Sequence, residues 1–281
     1  MKVTTLVENT RLGGRKDLSA EHGLSLHIQR DGKQILFDTG ATEAFSRNAE
    51  RLGVNIQEVD MMVISHHHFD HGGGLAHFLE ANPKAKVYLR RNEAGDCLRV
   101  FGIIKKHVGL DKRLFRKYED RFEFVDEFTE ISPDVFILTE IGNSSPLPKG
   151  NRYLFVKKGN ARSLDSFEHE LIMVVREKEG SVVFTGCSHR GILNMVDAVS
   201  VQFQGLPIKA VFGGFHMIGL PILNMMAGSK KEVEGIGKEM LKYPIEKVYT
   251  GHCTGAKAYR ILKGVMGEKL EYLSTGSSVE V

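Results

Sequence analysis

Apolar and polar positions alternate over 2–7 (KVTTLV), 23–28 (GLSLHI) and 34–38 (QILFD), and these β-rich runs predict three short strands. RDGK at 30–33 is a hairpin turn signal between the last two. The period then lengthens. Ala44, Phe45, Ala49 and Leu52 share one helical face over 41–53, and Gly53 sits where such a helix would be capped. A strand is predicted over 59–65 (VDMMVIS), a helix over about 73–81 and a strand over 85–90 (AKVYLR). Residues 91–130 carry many charges and read as helix plus loop, followed by a strand over 134–141 (DVFILTEI). GNSSPLPKGN and KKGNARSLDS give 142–168 the punctuation of a loop. Strands are expected again at 170–176, 181–186, 209–214 and 246–251, with helices at 190–203, near 229–242 and at 255–264. Hairpins followed by alternating strands and helices imply sheets covered by helices, an α/β (α+β layered) fold. No repeat or linker divides the chain, so one domain is expected over 1–281, with an irregular insertion at about 91–165.

Composition adds mostly exclusions. Hydrophobic residues are 42% and charged residues 26%, an ordinary globular balance. A formal charge of +3 requires no nucleic-acid partner, and no apolar run approaches a membrane span. The start, MKVTTLVENTRLGG, lacks the apolar core of a secretory signal, and Cys97, Cys187 and Cys253 are too few and too far apart for a disulfide framework. A reduced, cytoplasmic protein acting on a small, anionic molecule is the expectation.

Candidate chemistry is concentrated in ISHHHFDHGGGL, 64–75, which holds four of the twelve histidines and an aspartate. An internal, interrupted cluster of this kind is either a metal site or an unusually polar turn. In an extended segment His66, His68 and Asp70 face one way and His67 the other. A turn at Asp70 lets His71 rejoin the first group, and Gly72, Gly73 and Gly74 permit a tight turn. Imidazole and carboxylate together suit zinc, iron or manganese. Three more predicted strands end in glycine-flanked histidines: TGCSHRG with Cys187 and His189, GGFHM with His216, and TGHCTG with His252 and Cys253. Strand ends along one sheet edge are where α/β sites are built, so a shared site is favoured over separate structural histidines.

HHHFDH matches the H-x-H-x-D-H motif of the metallo-β-lactamase superfamily, and LFDTG at 36–40 also resembles it. EHGLSLHI, SHHHFDHGGGL, TGCSHRGILN, GGFHM and GHCTG together resemble one branch, the proteins related to dihydropterin-methyl-ribofuranosylaminobenzene-phosphate synthase. The resemblance runs from about residue 3 to 260 and is weak across 91–165. It implies an αββα four-layer sandwich of the metallo-β-lactamase type, holding one or two divalent metal ions, zinc first, with iron, manganese or magnesium as alternatives. It implies His66, His68, Asp70, His71 and His252 as ligands; the histidine that usually lies about twenty residues before the position of Cys187 has no clear counterpart, His169 being near that place but in a polar loop, so His189 is taken as the further ligand, with Cys187 catalytic or close to the metal and His216 close to the metal, facing the substrate, or structural. The branch resemblance implies a transferase with a pyrophosphate leaving group; the superfamily equally hosts metal-hydroxide hydrolases of esters, lactones or phosphodiesters. A redox or metal-sensing role is the alternative of another class, although this chain has no room for an electron-transfer domain. The chain departs from the wider pattern at Cys187, where many members carry a metal-bridging aspartate. Cys187 is read either as a thiolate ligand or as a small buried residue.

Asp38 either simply makes a turn in DTG or, as the resemblance implies, supports the ligand histidines as a hydrogen-bond acceptor, with His67 in a similar role or in the core. Glu21 and His22 either face the substrate or form a capping turn. Lys149, Arg152 and Arg162, with Lys157 and Lys158, are either a solvated loop or a wall of cations for a phosphorylated substrate. His169 is read as a surface residue, and His27, His77 and His107 as ordinary packing or surface.

Overall fold

The computed structural model describes residues 1–219 and 225–281 and divides them into two compact units. The first comprises Met1–Arg91, Val108–Val125 and Leu273–Val281; the second comprises Asn92–His107 and Asp126–Tyr272.

The first unit is built on a seven-stranded sheet in the order Ser278–Glu280, Lys2–Val7, Ser25–Arg30, Lys33–Phe37, Met61–Val63, Lys86–Leu89 and Phe122–Phe124. The hairpin strands pair antiparallel and the last four run parallel. Asp31 and Gly32 both take positive φ, the geometry of the tight turn expected at RDGK. The helices Ala44–Arg51 and Leu75–Ala81 bury Phe45, Ala49, Leu75 and Phe78 with Leu36, Met62, Ile64 and Val87 from the sheet in one apolar cluster. Fully burying side chains of this size contributes roughly 1.5–3 kcal/mol each. That cluster fixes the ends of Lys33–Phe37 and Met61–Val63, from which the histidine segment emerges.

The second unit holds a seven-stranded sheet in the order Leu270–Tyr272, Ile245–Thr250, Ile208–Gly213, Gly180–Phe184, Ile172–Glu177, Val135–Leu138 and Thr129–Ser132. Its first four strands are parallel and the rest antiparallel. The helices Ile192–Gln202, Lys230–Met240 and Ala256–Met266 pack Met195, Val233 and Leu262 against it. Ser229 and Glu232 form a reciprocal capping box that starts the second of these helices.

A four-stranded antiparallel sheet, Ala161–Leu164, Leu154–Lys158, Asp96–Phe101 and Ile104–His107, completes the second unit. These four strands lie within residues 91–165, where helix plus loop and then loop were expected. The charges that suggested a loop lie on exposed strand positions: LFVKK buries only Leu154 and Val156 well, and all of ARSL is exposed. Gly159, at φ +60°, turns the hairpin between them. Among the described residues, no helix is long and apolar enough to cross a membrane.

Candidate metal centre

The histidine segment leaves the Met61–Val63 strand beside the end of its parallel neighbour Lys33–Phe37, which places Asp38 next to it. His66, His68 and His71 converge. His66 Nε2 lies 3.1 Å from His68 Nδ1, and the His66 and His71 rings are 4.2 Å apart. His68 is still extended and precedes the short helix Phe69–Gly72, which swings His71 back to the group, as the turn at Asp70 was expected to do. Gly73 allows that turn, because a Cβ there would stand 2.2 Å from the Ala41 carbonyl oxygen. His67 points the other way and meets the Arg90 carbonyl oxygen at 2.7 Å. His66, His68, Asp70 and His71 are all buried.

Asp38 organises this group. Its backbone is left-handed, at φ +60°, and its carboxylate is wholly buried. Oδ1 accepts the Ser65 backbone N–H at 2.8 Å, and Oδ2 accepts the Ser65 hydroxyl at 2.7 Å and His71 Nδ1 at 2.6 Å. The Ser65 oxygen is 2.9 Å from His66 Nδ1. With Ser65 donating to the carboxylate, its oxygen accepts from His66. Both imidazoles thereby carry their proton on Nδ1 and leave Nε2 as the nitrogen that could bind a cation, the outer hydrogen bonding that suits metal-binding histidines.

Asp70 Oδ2 is 3.2 Å from His22 Nε2, so His22 belongs with the cluster. Glu21 is a turn clamp: its Oε1 accepts the Ala41 and Thr42 backbone N–H groups and its Oε2 accepts the Thr42 hydroxyl. Of its two expected roles, Glu21 takes the capping one.

In the second unit the histidines also sit at the ends of adjacent parallel strands. Donor atoms of Cys187, His189 and His216 lie within 4.8 Å of one another, as do those of Cys187, His252 and Cys253. Ser188, His216 and His252 all take positive φ, at +57°, +45° and +48°. Non-glycine residues rarely adopt that region, and its concentration in these loops marks strain held for function. Cys253, which the sequence places beside His252 in TGHCTG, donates to the Cys187 carbonyl oxygen at 3.5 Å and accepts the His216 backbone N–H at 3.3 Å. Gly214 admits that sulfur, since a Cβ would stand 2.4 Å from it.

Three further residues, Asn151, Phe167 and Glu170, escaped the sequence reading. Asn151 donates to the His189 carbonyl oxygen at 2.8 Å, and its own carbonyl oxygen lies 3.1 Å from His189 Nδ1. Phe167 stacks on the same ring at 4.3 Å. Glu170, fully buried, accepts the backbone N–H groups of His189 and Arg190 at 2.8 and 2.7 Å. Burial pushes its carboxyl up to about 7, against the lowering effect of those two donors. His169 is not on the surface as expected: it is 2% exposed, 3.1 Å from Asp165 Oδ2 and 3.8 Å from Cys97 Sγ. Burial opposes its charge, but Asp165 and Cys97 outweigh burial and hold its pKa at about 10. Residues 165, 167 and 169–171 are buried while 166 and 168 are exposed, and the positive φ of Phe167 turns the chain between Asp165 and His169.

A cavity of about 280 Å³ opens at the start of the Ile192–Gln202 helix, lined by Leu147, Ile192, Phe215, His216, Met217 and Val233 among others. Lys149 stands on its wall and pairs with Glu232, whose carboxyl is held down at about 2 by Lys149 and by Ser229. Arg152 lies over the Tyr153 ring at 4.7 Å and Arg162 over Phe155 at 5.2 Å. The loop cations are thus stacked or paired side chains.

Residues 20–252 match the model of the metallo-beta-lactamase superfamily. The chain belongs to that superfamily. It is 29% identical to a 7,8-dihydropterin-6-methyl-4-(beta-D-ribofuranosyl)-aminobenzene-5'-phosphate synthase of Methanocaldococcus jannaschii, over 100% of this chain and 96% of that one. It is also similar to the crystal structure of Tm1679, a metal-dependent hydrolase of the beta-lactamase superfamily, with a TM-score of 0.83, 32% identity, and coverage of 100% of this chain and 99% of the other. Zinc-bound PqqB from Methylobacterium extorquens shares the fold, with a TM-score of 0.61 at 10% identity and full coverage of both chains. The mixed α/β class read from the sequence is that of these relatives. The buried imidazoles and carboxylate of the first unit, and the buried imidazoles and thiols of the second, are each donor types that fit a divalent metal.

Proposed function

We propose that this protein is a metal-dependent enzyme acting on a phosphorylated small molecule, and that its reaction is a transfer with a pyrophosphate leaving group, like that read from the synthase branch. The observation that carries this reading is 29% identity to the synthase along the whole of the chain. His66, His68, Asp70 and His71 in the first unit would hold metal, and His189 and His252 in the second are the further proposed ligands. The bound ion would supply Lewis acidity and charge neutralisation for the leaving group. The chain's own residues prepare the site. Asp38 and Ser65 hold the protons of His71 and His66 on Nδ1. Asn151 orients the His189 ring, and Glu170 anchors the loop that carries it. His22 holds the Asp70 carboxylate. Lys149, Arg152 and Arg162 are the proposed cations for an anionic substrate, and the apolar cavity beside His216 suits a flat ring.

The test is pyrophosphate release from a hydroxymethyl-dihydropterin pyrophosphate by metal-loaded protein. Release should require the ribosylated aminobenzene phosphate co-substrate and be abolished by His66→Ala. The likeness to Tm1679, called a metal-dependent hydrolase, favours one second reading: hydrolysis of an ester, lactone or phosphodiester. Turnover of nitrophenyl esters or bis-nitrophenyl phosphate without pyrophosphate transfer would select it.

A further inference from the structure

Residues 22–24 of the EHG loop wrap the proposed ligand Asp70, and all of them lie in the first unit. The Leu24 N–H donates to the Asp70 carbonyl oxygen at 3.2 Å. Gly23 passes so close that a Cβ there would stand 2.7 Å from the same oxygen. His22 Nε2 meets the carboxylate itself, 3.2 Å from Oδ2. Both the backbone and the side chain of Asp70 are held by one short segment.

An imidazole holds a carboxylate only through an N–H, so this contact requires the ring proton on Nε2. A neutral imidazole can carry its proton on either nitrogen, and a partner on the opposite nitrogen decides which. Asn9 is that partner. Its Nδ2 lies 3.3 Å from His22 Nδ1, and its Oδ1 accepts the Gly23 backbone N–H at 3.3 Å. The Gly23 contact settles the orientation of the amide: with the oxygen on Gly23, the NH₂ group faces His22. That group donates, Nδ1 accepts, and the proton sits on Nε2, aimed at Asp70.

His66 and His71 are arranged the opposite way. Each has an acceptor beside Nδ1, the Ser65 oxygen and the Asp38 carboxylate, and keeps Nε2 for a cation. The partner on Nδ1 thus sorts the histidines. An acceptor there makes a metal-binding imidazole, and a donor there makes a hydrogen-bond donor. Asn9 is fixed in turn by its neighbour Glu8, whose wholly buried carboxylate accepts the Thr10 backbone N–H at 2.6 Å and whose carbonyl oxygen accepts the Glu21 N–H at 3.3 Å.

We propose that Asn9 is a positioning residue that holds His22 with its proton on Nε2, so that His22 donates to Asp70, orients that carboxylate for an ion, and stays outside the ligand set. The proposal rests on the functional reading in taking Asp70 as a metal ligand.

Nitrogen-15 NMR of the histidine rings tests the first step in folded, metal-free wild-type protein, with His22 assigned by its loss in His22→Gln. The ring should show an unprotonated Nδ1 and a protonated Nε2, and in Asn9→Ala the two nitrogens should move toward an average of both tautomers. Zinc competition against a chromophoric chelator tests the second step. His22→Ala should weaken binding about tenfold or more, and His22→Gln, which keeps an amide N–H for Asp70, should recover part of the loss. Asn9→Ala should cost about threefold or more alone, yet less than about twofold when added to His22→Ala, because its effect passes through His22. Circular dichroism checks each fold, and the wild-type spectrum decides the first step even if Asn9→Ala does not fold. A His22 proton on Nδ1, His22→Ala binding zinc within about twofold of wild type, or fully additive losses in the double variant would overturn the proposal. None of these readouts uses turnover, so a failure of pyrophosphate transfer with them intact would sink the functional reading alone.

Discussion

Asp38→Asn is the sharpest perturbation of the proposed centre. Asparagine keeps the volume and tolerates the left-handed backbone at φ +60°, so the turn should survive. What changes is the hydrogen bonding. The Asp38 carboxylate accepts the Ser65 backbone N–H, the Ser65 hydroxyl and His71 Nδ1. In the variant one carbonyl oxygen replaces two acceptors. If that oxygen keeps the Ser65 backbone N–H, as Oδ1 does, an NH₂ group faces His71 Nδ1. The amide then donates, His71 moves its proton to Nε2, and the nitrogen offered to a metal is blocked. Loss of such an outer partner costs roughly 10–100-fold in metal affinity, or about 1.4–2.7 kcal/mol. Stability without metal should fall as well, because a charge-assisted hydrogen bond contributes about 1.5–3 kcal/mol. Competition for zinc against a chromophoric chelator measures the first effect, and urea unfolding in chelator measures the second. A folded Asp38→Asn protein that binds zinc within twofold of wild type would refute the argument that Asp38 sets the protonation of His71.

Other expected outcomes follow the same chain of contacts. Glu170→Gln leaves one of two buried backbone N–H groups facing an amide NH₂, and urea unfolding should show a loss of about 1–3 kcal/mol, with a weaker His189 contribution to metal binding. Asn151→Ala removes the acceptor on His189 Nδ1 and should lower metal affinity by about tenfold in the chelator competition, with little effect on Tm in chelator. Gly73→Ala drives a Cβ against the Ala41 carbonyl and should destabilise by about 1–3 kcal/mol, whereas Gly235→Ala, with nothing near its Cβ, should be neutral or slightly stabilising by urea titration.

What could be read from the sequence, and what could not, divides along physical lines. The hairpins and the strand-helix alternation were legible because each buries one face, and period alone reveals a buried face. The 66–71 cluster was legible because its members are neighbours in sequence. The Leu154–Lys158 and Ala161–Leu164 strands were not, since their exposed positions carry Lys157, Lys158 and Arg162 and show no apolar period. Glu170 and Asn151 act on His189 from 19 and 38 positions away, a relation that only tertiary structure creates. His169 is a similar case: a turn at Phe167 and contacts with Asp165 and the distant Cys97 bury it, and its polar surroundings in sequence suggested a surface loop.

The same distinction bears on which residues carry function. Among the described residues, seven non-glycine residues have positive φ, and four of them, Asp38, Ser188, His216 and His252, lie in the strand-end loops with the proposed ligands or their support. A fifth, Phe167, lies between Asp165 and His169. Such a conformation opposes folding by of order 1–3 kcal/mol, so it persists only where packing and hydrogen bonds over-determine it. For Asp38 those bonds are the three to its carboxylate. For His216 they include the Cys253 sulfur, which accepts the His216 backbone N–H, and the Cys253 carbonyl oxygen, which accepts the next two N–H groups. Composition shows which side chains could bind a metal. The strained backbone that aims them appears only once the supporting partners are in place, which is why the ligands were easier to name than the residues that hold them.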